Sequence, residues 1–363
     1  MGLDAGVAED LADIPHVEGG VNRPLVRRLG ELGLLRGLFG GEPGSPPTGA
    51  AARQLCQLRE DLARVHTEAE TALALQGLGS YPILQSGTDE QRERWLPGVI
   101  SGEVVAGFAL SERNAGSDAA ALELEARPDG DGWRLFGDKT WISNAPEADV
   151  YSVFARTGGP GSRGVSAFAV AGDADGLSGE ALAMVAPHAL GTLRFDGVPV
   201  SRADLLGEEG EGFKVAMRTL DLFRPSVGAF AVGMAQAALD ASLAWAQERE
   251  IYGGRLIDQQ SVQHVLAEMA TRIEAGRLLV RAAATAYDEG RGSTKAAAMA
   301  KLFATETAQW VVDQAVQMHG ARGLQQGHLL ERLYREVRAP RIYEGASEVQ
   351  RTIIARELMR ESE

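Results

Sequence analysis

Cysteine is almost absent. Cys56 stands alone in 363 residues, which excludes an intrachain disulfide and a cysteine-rich metal site and fits a reducing cytosol. Lysine is scarce too: of 36 basic residues only Lys139, Lys214, Lys295 and Lys301 are lysines. That bias, together with abundant alanine, has no folding rationale and reads as a G+C-rich bacterial genome. Positive charge is in deficit overall, and a net charge of −14 would repel a phosphate backbone, so no nucleic-acid partner is expected. No stretch approaches the ~20 apolar residues of a bilayer-spanning helix, and no membrane partner is expected. The acidic opening MGLDAGVAEDLADIP lacks the basic-then-apolar run of a secretory signal, so the expected location is cytoplasmic. The six histidines show no HExxH or similar spacing, so no metal site is expected. No GxGxxG lies between a strand and a helix, which removes a Rossmann fingerprint.

What is present is the composition of a globular protein, 45% hydrophobic and 24% charged. Three sections differ in pattern: 1–105, 106–205 and 206–363. The first reads as helices. Asn22 can cap a segment carrying Leu25, Leu29 and Leu32, and a second run places Leu55, Leu58, Leu62 and Val65 on one face. Thr88 through Gln91 matches a capping box, and GGEPGSPPTG (40–49) reads as loop. The second section holds short runs (ALELEAR, WRLF, VYSVFA, VSAFAV, TLRFDGV) separated by turn chemistry, the pattern of an antiparallel β barrel or sandwich. In the third, Val262, Val265, Leu266, Met269, Ile273, Leu279 and Val280 mark an apolar helical stripe. A further helix should start near Ser293 and carry Met299, Leu302, Phe303 and Val311. Ser347 to Gln350 reads as another capping box opening a last helix. Long helices with brief connections indicate a bundle, so the fold class is α+β in the order α, β, α.

FALSERNAGSD (108–118) is a loop of small and hydroxylated residues suited to close approach by a phosphate or ring system, or to a plain entrance into the β section. TWISN (140–144) sets Trp141 at a strand end beside Ser143, where a flat indole packs a core or backs a flavin. Arg224-Pro225 reads as a helix kink with a salt-bridged arginine, and His264 as a surface residue. In IYEGASEVQR (342–351), Glu344 and Glu348 bracket a helix start, where the macrodipole favours negative charge.

Taken in order, GTDEQRERWLP (87–97), FALSERNAGSD, GDKTWISN, RPSVGAFAVGMAQAALD (224–240), EREIYGGRLIDQQ (248–260), AVQMHGARG (315–323) and IYEGASEVQR resemble the acyl-CoA dehydrogenase family over roughly 80–363. The resemblance implies an N-terminal helical domain, a middle β domain and a C-terminal four-helix bundle. It implies FAD as cofactor, with the isoalloxazine between β domain and bundle. Phe108, Leu110, Ser111, Trp141, Ile142 and Ser143 would touch the ring, and Ser117 would lie near the pyrophosphate or substrate. Arg249, Gln260, Gln317 and Gly320 match positions that hold the adenine end of a neighbouring subunit's FAD, implying a homodimer or homotetramer.

The implied reaction is oxidation of an acyl thioester, with Glu344 as the base that removes the α proton and hydride passing to flavin N5. Tyr343, Gly345, Asp221 and Arg224 match substrate positions, and the Glu344 N–H would donate to the thioester carbonyl. Glu348 falls among cofactor positions but reads equally as a solvated helix-start acid. The implied acceptor is an electron-transfer flavoprotein or similar; an oxidase using O₂ and a non-catalytic thioester binder are the alternatives. Three departures bear on substrate. FGGEPGSPPTGA replaces the family's acidic-Tyr-Gly-Gly stretch, and LAMVAPHAL (182–190) lacks its basic and hydroxyl groups. Ala321 replaces a glycine, and Ala346 a threonine beside the FAD phosphates. These keep open a small polar acyl group on an acyl carrier protein, as in polyketide extender-unit (secondary) metabolism, beside ordinary coenzyme A.

Overall fold

Asn22 behaves as its chemistry dictates: its side chain accepts the Leu25 N–H and opens a helix of the N-terminal region. The structure, a computed structural model, describes residues 5–12, 14–41 and 45–362. Residues 42–44 of the expected 40–49 loop, and the first residues of the acidic N-terminal stretch, lie outside the described residues. In chain order come helices α1 (Ala5–Ala12), α2 (Arg23–Glu31), α3 (Ala52–Val65), α4 (Thr67–Ser86) and α5 (Asp89–Ser101). Strands β1 (Ala106–Ala109), β2 (Glu125–Asp129), β3 (Gly132–Ser143), β4 (Val150–Arg156), β5 (Val165–Ala171), β6 (Leu177–Ala181) and β7 (Leu190–Val200) follow. After α6 (Gly212–Glu248) a short hairpin, β8 (Glu250–Ile251) and β9 (Gly254–Arg255), leads to α7 (Gln260–Asp288), α8 (Thr294–His319), α9 (Leu329–Glu336) and α10 (Ser347–Glu361).

These elements form two compact units: 51–70 with 221–363, and 5–50 with 71–220. The second, the β unit, carries a seven-stranded sheet in the order β1-β4-β2-β3-β7-β6, with β5 on β4. The sheet is mixed rather than antiparallel as expected, because β1 pairs with β4 in parallel, as does the end of β2. The β4 and β5 strands bury nearly every side chain, which explains their unbroken apolar runs, whereas β7 alternates. The Thr88 capping box forms as read, with reciprocal bonds between Thr88 and Gln91.

The first, the helical unit, corrects three readings. Helix α3 buries Ala52, Leu55, Cys56, Arg59, Leu62 and Ala63, so its inward face is rotated from the expected Leu55–Leu58–Leu62–Val65 stripe, and Val65 is exposed. Helix α8 turns Met299 and Phe303 outward and buries small residues with Lys301 instead, since close helix approach favours alanine. Helix α6 is long and apolar enough by length and composition to cross a bilayer, contrary to the expectation of no such stretch; most of that window is buried in the fold, as in a core helix. The α7 stripe holds at Leu266, Met269, Ile273 and Val280.

Candidate active site

The segment leading into α10 is an unusual piece of backbone. Glu344 has φ +50° and Gly345 φ +94°, so two successive residues lie in the left-handed region, where only the second lacks a Cβ. A Cβ on Gly345 would press on the Gln350 amide, so any other residue here would displace that side chain as well as strain the backbone. The turn is clamped from two sides. Lys301 Nζ donates to the Gly345 carbonyl at 2.7 Å, and Gln350 Nε2 donates to the same oxygen at 2.9 Å. Ser347 is therefore not the capping residue of a box: it is the first residue of α10 and donates to Glu306 Oε1 at 2.6 Å. Glu348 is exposed on α10, 3.5 Å from Arg351. Ala346 makes no side-chain cap.

Electrostatically the turn is surrounded by cations. Part of Glu344 reaches the surface, yet its Oε2 is fully buried and has no hydrogen-bond partner among the described residues. Burial raises its carboxyl above the usual range, and Arg59, Lys301 and Arg224 oppose that rise. Burial pushes the Lys301 ammonium down to about 8. Arg224 is buried, donates to Asp221 Oδ1 at 3.1 Å, and keeps its Nε buried and without a partner. Burial also drives the neighbouring Tyr343 phenol well above its usual range. The Glu344 backbone N–H donates to no acceptor among the described residues and is free for a ligand oxygen.

The β unit brings side by side the two stretches expected to touch a flavin ring. Thr140 N donates to the Ser111 carbonyl at 3.0 Å, and Lys139 Nζ donates to the Leu110 carbonyl at 2.9 Å. A register shift between Lys139 and Ile142 lifts Trp141 out of the ladder at φ +58°, leaving the indole 47% exposed. Phe108 and Ser111 are partly exposed, as is Ser143, and Ser117 is exposed. The three serine hydroxyls have no partner among the described residues. An exposed flat indole beside unclaimed hydroxyls fits a flavin. Leu110 and Ile142 are buried, so they offer backbone rather than side chain.

The residues expected at the adenine end all lie in the helical unit. Arg249 lies 5.8 Å above the Trp245 ring, and Trp245 stacks on His319 at 5.4 Å, next to Gly320. The intervening hairpin turns through Tyr252 (φ +51°) and Gly253 (φ +80°), the dihedrals of a two-residue turn. Arg249, Gln260, Gln317 and Gly320 are all exposed. Among the described residues no cluster of metal-ligating side chains occurs.

Sequence reasoning missed Arg59, Lys301 and Gln350 at this turn. The available signal was Arg59 itself, a charge four residues after Leu55 and three before Leu62, in an apolar helical register.

Comparison with known proteins bears on the family and the fold. The models for the N-terminal, middle and C-terminal domains of acyl-CoA dehydrogenase match residues 4–103, 107–198 and 210–359. A cyclohexane-1-carbonyl-CoA dehydrogenase of Geobacter metallireducens is 37% identical over 352 residues, 95% of this chain and 91% of that protein. Butyryl-CoA dehydrogenase from Megasphaera elsdenii has a TM-score of 0.91 at 32% identity, with 99% of each chain covered. PigA, solved with FAD and proline, has a TM-score of 0.89 at 25% identity, covering 98% of this chain and 93% of that one. With all three domains matched and the relatives spanned nearly end to end, the chain belongs to the acyl-CoA dehydrogenase family.

Proposed function

We propose that the protein oxidises the Cα–Cβ bond of an acyl thioester with FAD as cofactor, and that Glu344 is its general base. The observation that carries this is the Glu344 carboxylate: its Oε2 is buried and unclaimed, on a turn clamped through the next carbonyl. A carboxylate whose proton affinity is raised by burial takes up a proton more readily than an exposed one, as removal of an acidic α proton requires. The Glu344 N–H, which has no acceptor among the described residues, would donate to the thioester oxygen as negative charge develops on it. Phe108, Ser111, Trp141 and Ser143 would hold the flavin ring, which when bound accepts the β hydride at N5. Arg249, Gln260, Gln317 and Gly320 would bind the adenine end of a second subunit's cofactor, making the working form a homo-oligomer. An electron-transfer flavoprotein or similar acceptor would reoxidise the enzyme in the cytoplasm.

The carrier is coenzyme A or an acyl carrier protein. Anaerobic titration of the flavin-loaded protein with short and long acyl-CoAs tests both the reaction and the carrier. Bleaching by one acyl-CoA is the expected result, and bleaching only by carrier-protein thioesters would move the assignment. Glu344→Gln should slow flavin reduction by about 10²–10⁴-fold with cofactor retained. Unchanged reduction by that variant would overturn the base.

A further inference from the structure

The Lys139 side chain lies wholly inside the β unit, two residues before Trp141, where β3 slips out of register with β7. A buried ion pair is a poor way to fill space, because well-packed apolar residues of similar volume stabilise a core as well or better. The bonds of this lysine show another use. Its Nζ donates to the Leu110 carbonyl at 2.9 Å and to Glu112 Oε1 at 2.7 Å. Glu112 in turn gathers its own loop. Its carboxylate accepts the Glu123 and Leu124 N–H groups, and its backbone N–H and carbonyl both pair with Ala115. One ammonium therefore fastens the loop after β1 to the strand behind it.

What is fastened is the pair of stretches expected at the flavin ring. Ser111 sits between the two residues that Lys139 holds, and its own carbonyl accepts the Thr140 N–H at 3.0 Å. A second tie closes the other end, where Asn144 Nδ2 donates to the Ala106 carbonyl at 2.8 Å, also buried. Phe108 thus lies between tied residues 106 and 110, and Trp141 and Ser143 lie between tied residues 140 and 144. Trp141 itself has left the β3–β7 ladder, at φ +58°, so its placement depends on the residues tied on either side of it.

We propose that Lys139 is a positioning residue for the flavin. By holding Leu110 and Glu112 against β3, it keeps Phe108, Ser111 and the Trp141 indole arranged for the ring before the cofactor binds. The inference rests on those residues being the flavin site. It carries a signature that a packing role lacks: loss of the tie should change the surroundings of the bound ring, and not only the stability of the sheet.

The test uses the full chain loaded with FAD and two readouts that need no turnover. One is the dissociation constant for FAD, from ultrafiltration across a dilution series. The other is the fluorescence of the bound flavin, which an indole against the ring quenches. Lys139→Met alone would strand Glu112, so the working variant is the neutral pair Lys139→Met/Glu112→Gln. It should bind FAD about 10–100-fold more weakly, because the loop is then ordered only on binding. The flavin that remains bound should be brighter. Should this variant fail to fold, Glu112→Gln decides: it should shift both readouts the same way by a smaller factor. Wild-type affinity and brightness in the variant that folds would overturn the proposal. Val198→Ala loosens the same sheet at a buried position of β7 outside these ties, and should leave both readouts in place. Equal shifts in that variant would reduce Lys139 to a packing role. Trp141→Phe, finally, should brighten the flavin by itself. If it does not, the assignment of Trp141 to the ring has failed. If it does while the Lys139 pair variant matches wild type, this inference alone has failed.

Discussion

Each unit holds a glutamate with a buried lysine beside it, and the two pairs are built to opposite ends. In the β unit, Glu112 Oε2 accepts the Glu123 N–H at 2.6 Å, and its Oε1 accepts Leu124 N–H at 2.9 Å and Lys139 Nζ at 2.7 Å. Both oxygens are claimed, so the carboxylate ties the 110–124 loop to β3 and can do no chemistry. In the helical unit, Lys301 donates to the Gly345 backbone carbonyl and not to the Glu344 carboxylate, whose Oε2 is unclaimed. Burial pushes both lysines down to about 8, so proton affinity does not tell the pairs apart. The destination of the lysine's hydrogen bonds does. A buried acid is silenced by saturating it and kept available by anchoring only the chain beside it.

That distinction is open to challenge by substitution. The largest effect should come from Lys139→Met, which strands Glu112 as a buried, uncompensated charge. The expected loss is about 3–5 kcal/mol in chemical denaturation. A loss below about 1 kcal/mol would mean that the pair does not stabilise the β unit. Lys301→Met should act on rate instead. Freeing the Gly345 carbonyl lets the base drift, and a displacement of about 1 Å can cost on the order of 10²-fold in flavin reduction. The melting temperature should fall less than in Lys139→Met; the reverse ranking would put both lysines in one structural class.

The finest test concerns Glu336. Burial pushes this acid up to about 7, with its Oε1 accepting from Thr67 and its Oε2 unpartnered. The stability it contributes is full below its unfolded pKa of about 4.3 and is lost as pH rises through its folded value. Glu336→Gln should flatten the decline in urea midpoint between pH 5 and pH 8. An undiminished decline would assign it to other groups.

The parts of the molecule legible in the sequence are those decided by neighbours in the chain. The Asn22 and Thr88 caps, the apolar runs of β4 and β5, and the order of helical and strand sections all rest on local chemistry. The Glu344 turn was visible through its motif and the adjacent glycine. Its supports were not. Lys301 from α8 and Arg59 from α3 act on the turn from separate helices, and no spacing rule connects them. Gln350 was read as a capping residue because the Ser-x-x-Gln pattern fits one, but its amide finds a better acceptor in the clamped carbonyl. The parallel pairing of β1 with β4 was likewise hidden, since short strands do not announce their direction.

Glu344 at φ +50° also has a bearing on any attempt to harden this protein against heat. A side chain with a Cβ held left-handed costs roughly 1–2 kcal/mol, which glycine avoids and asparagine reduces. A library screened for survival at high temperature alone would therefore be drawn toward those two residues at position 344. Its winners would fold better than the natural chain and lack the group proposed to do its chemistry. Durability and turnover pull against each other at a single dihedral.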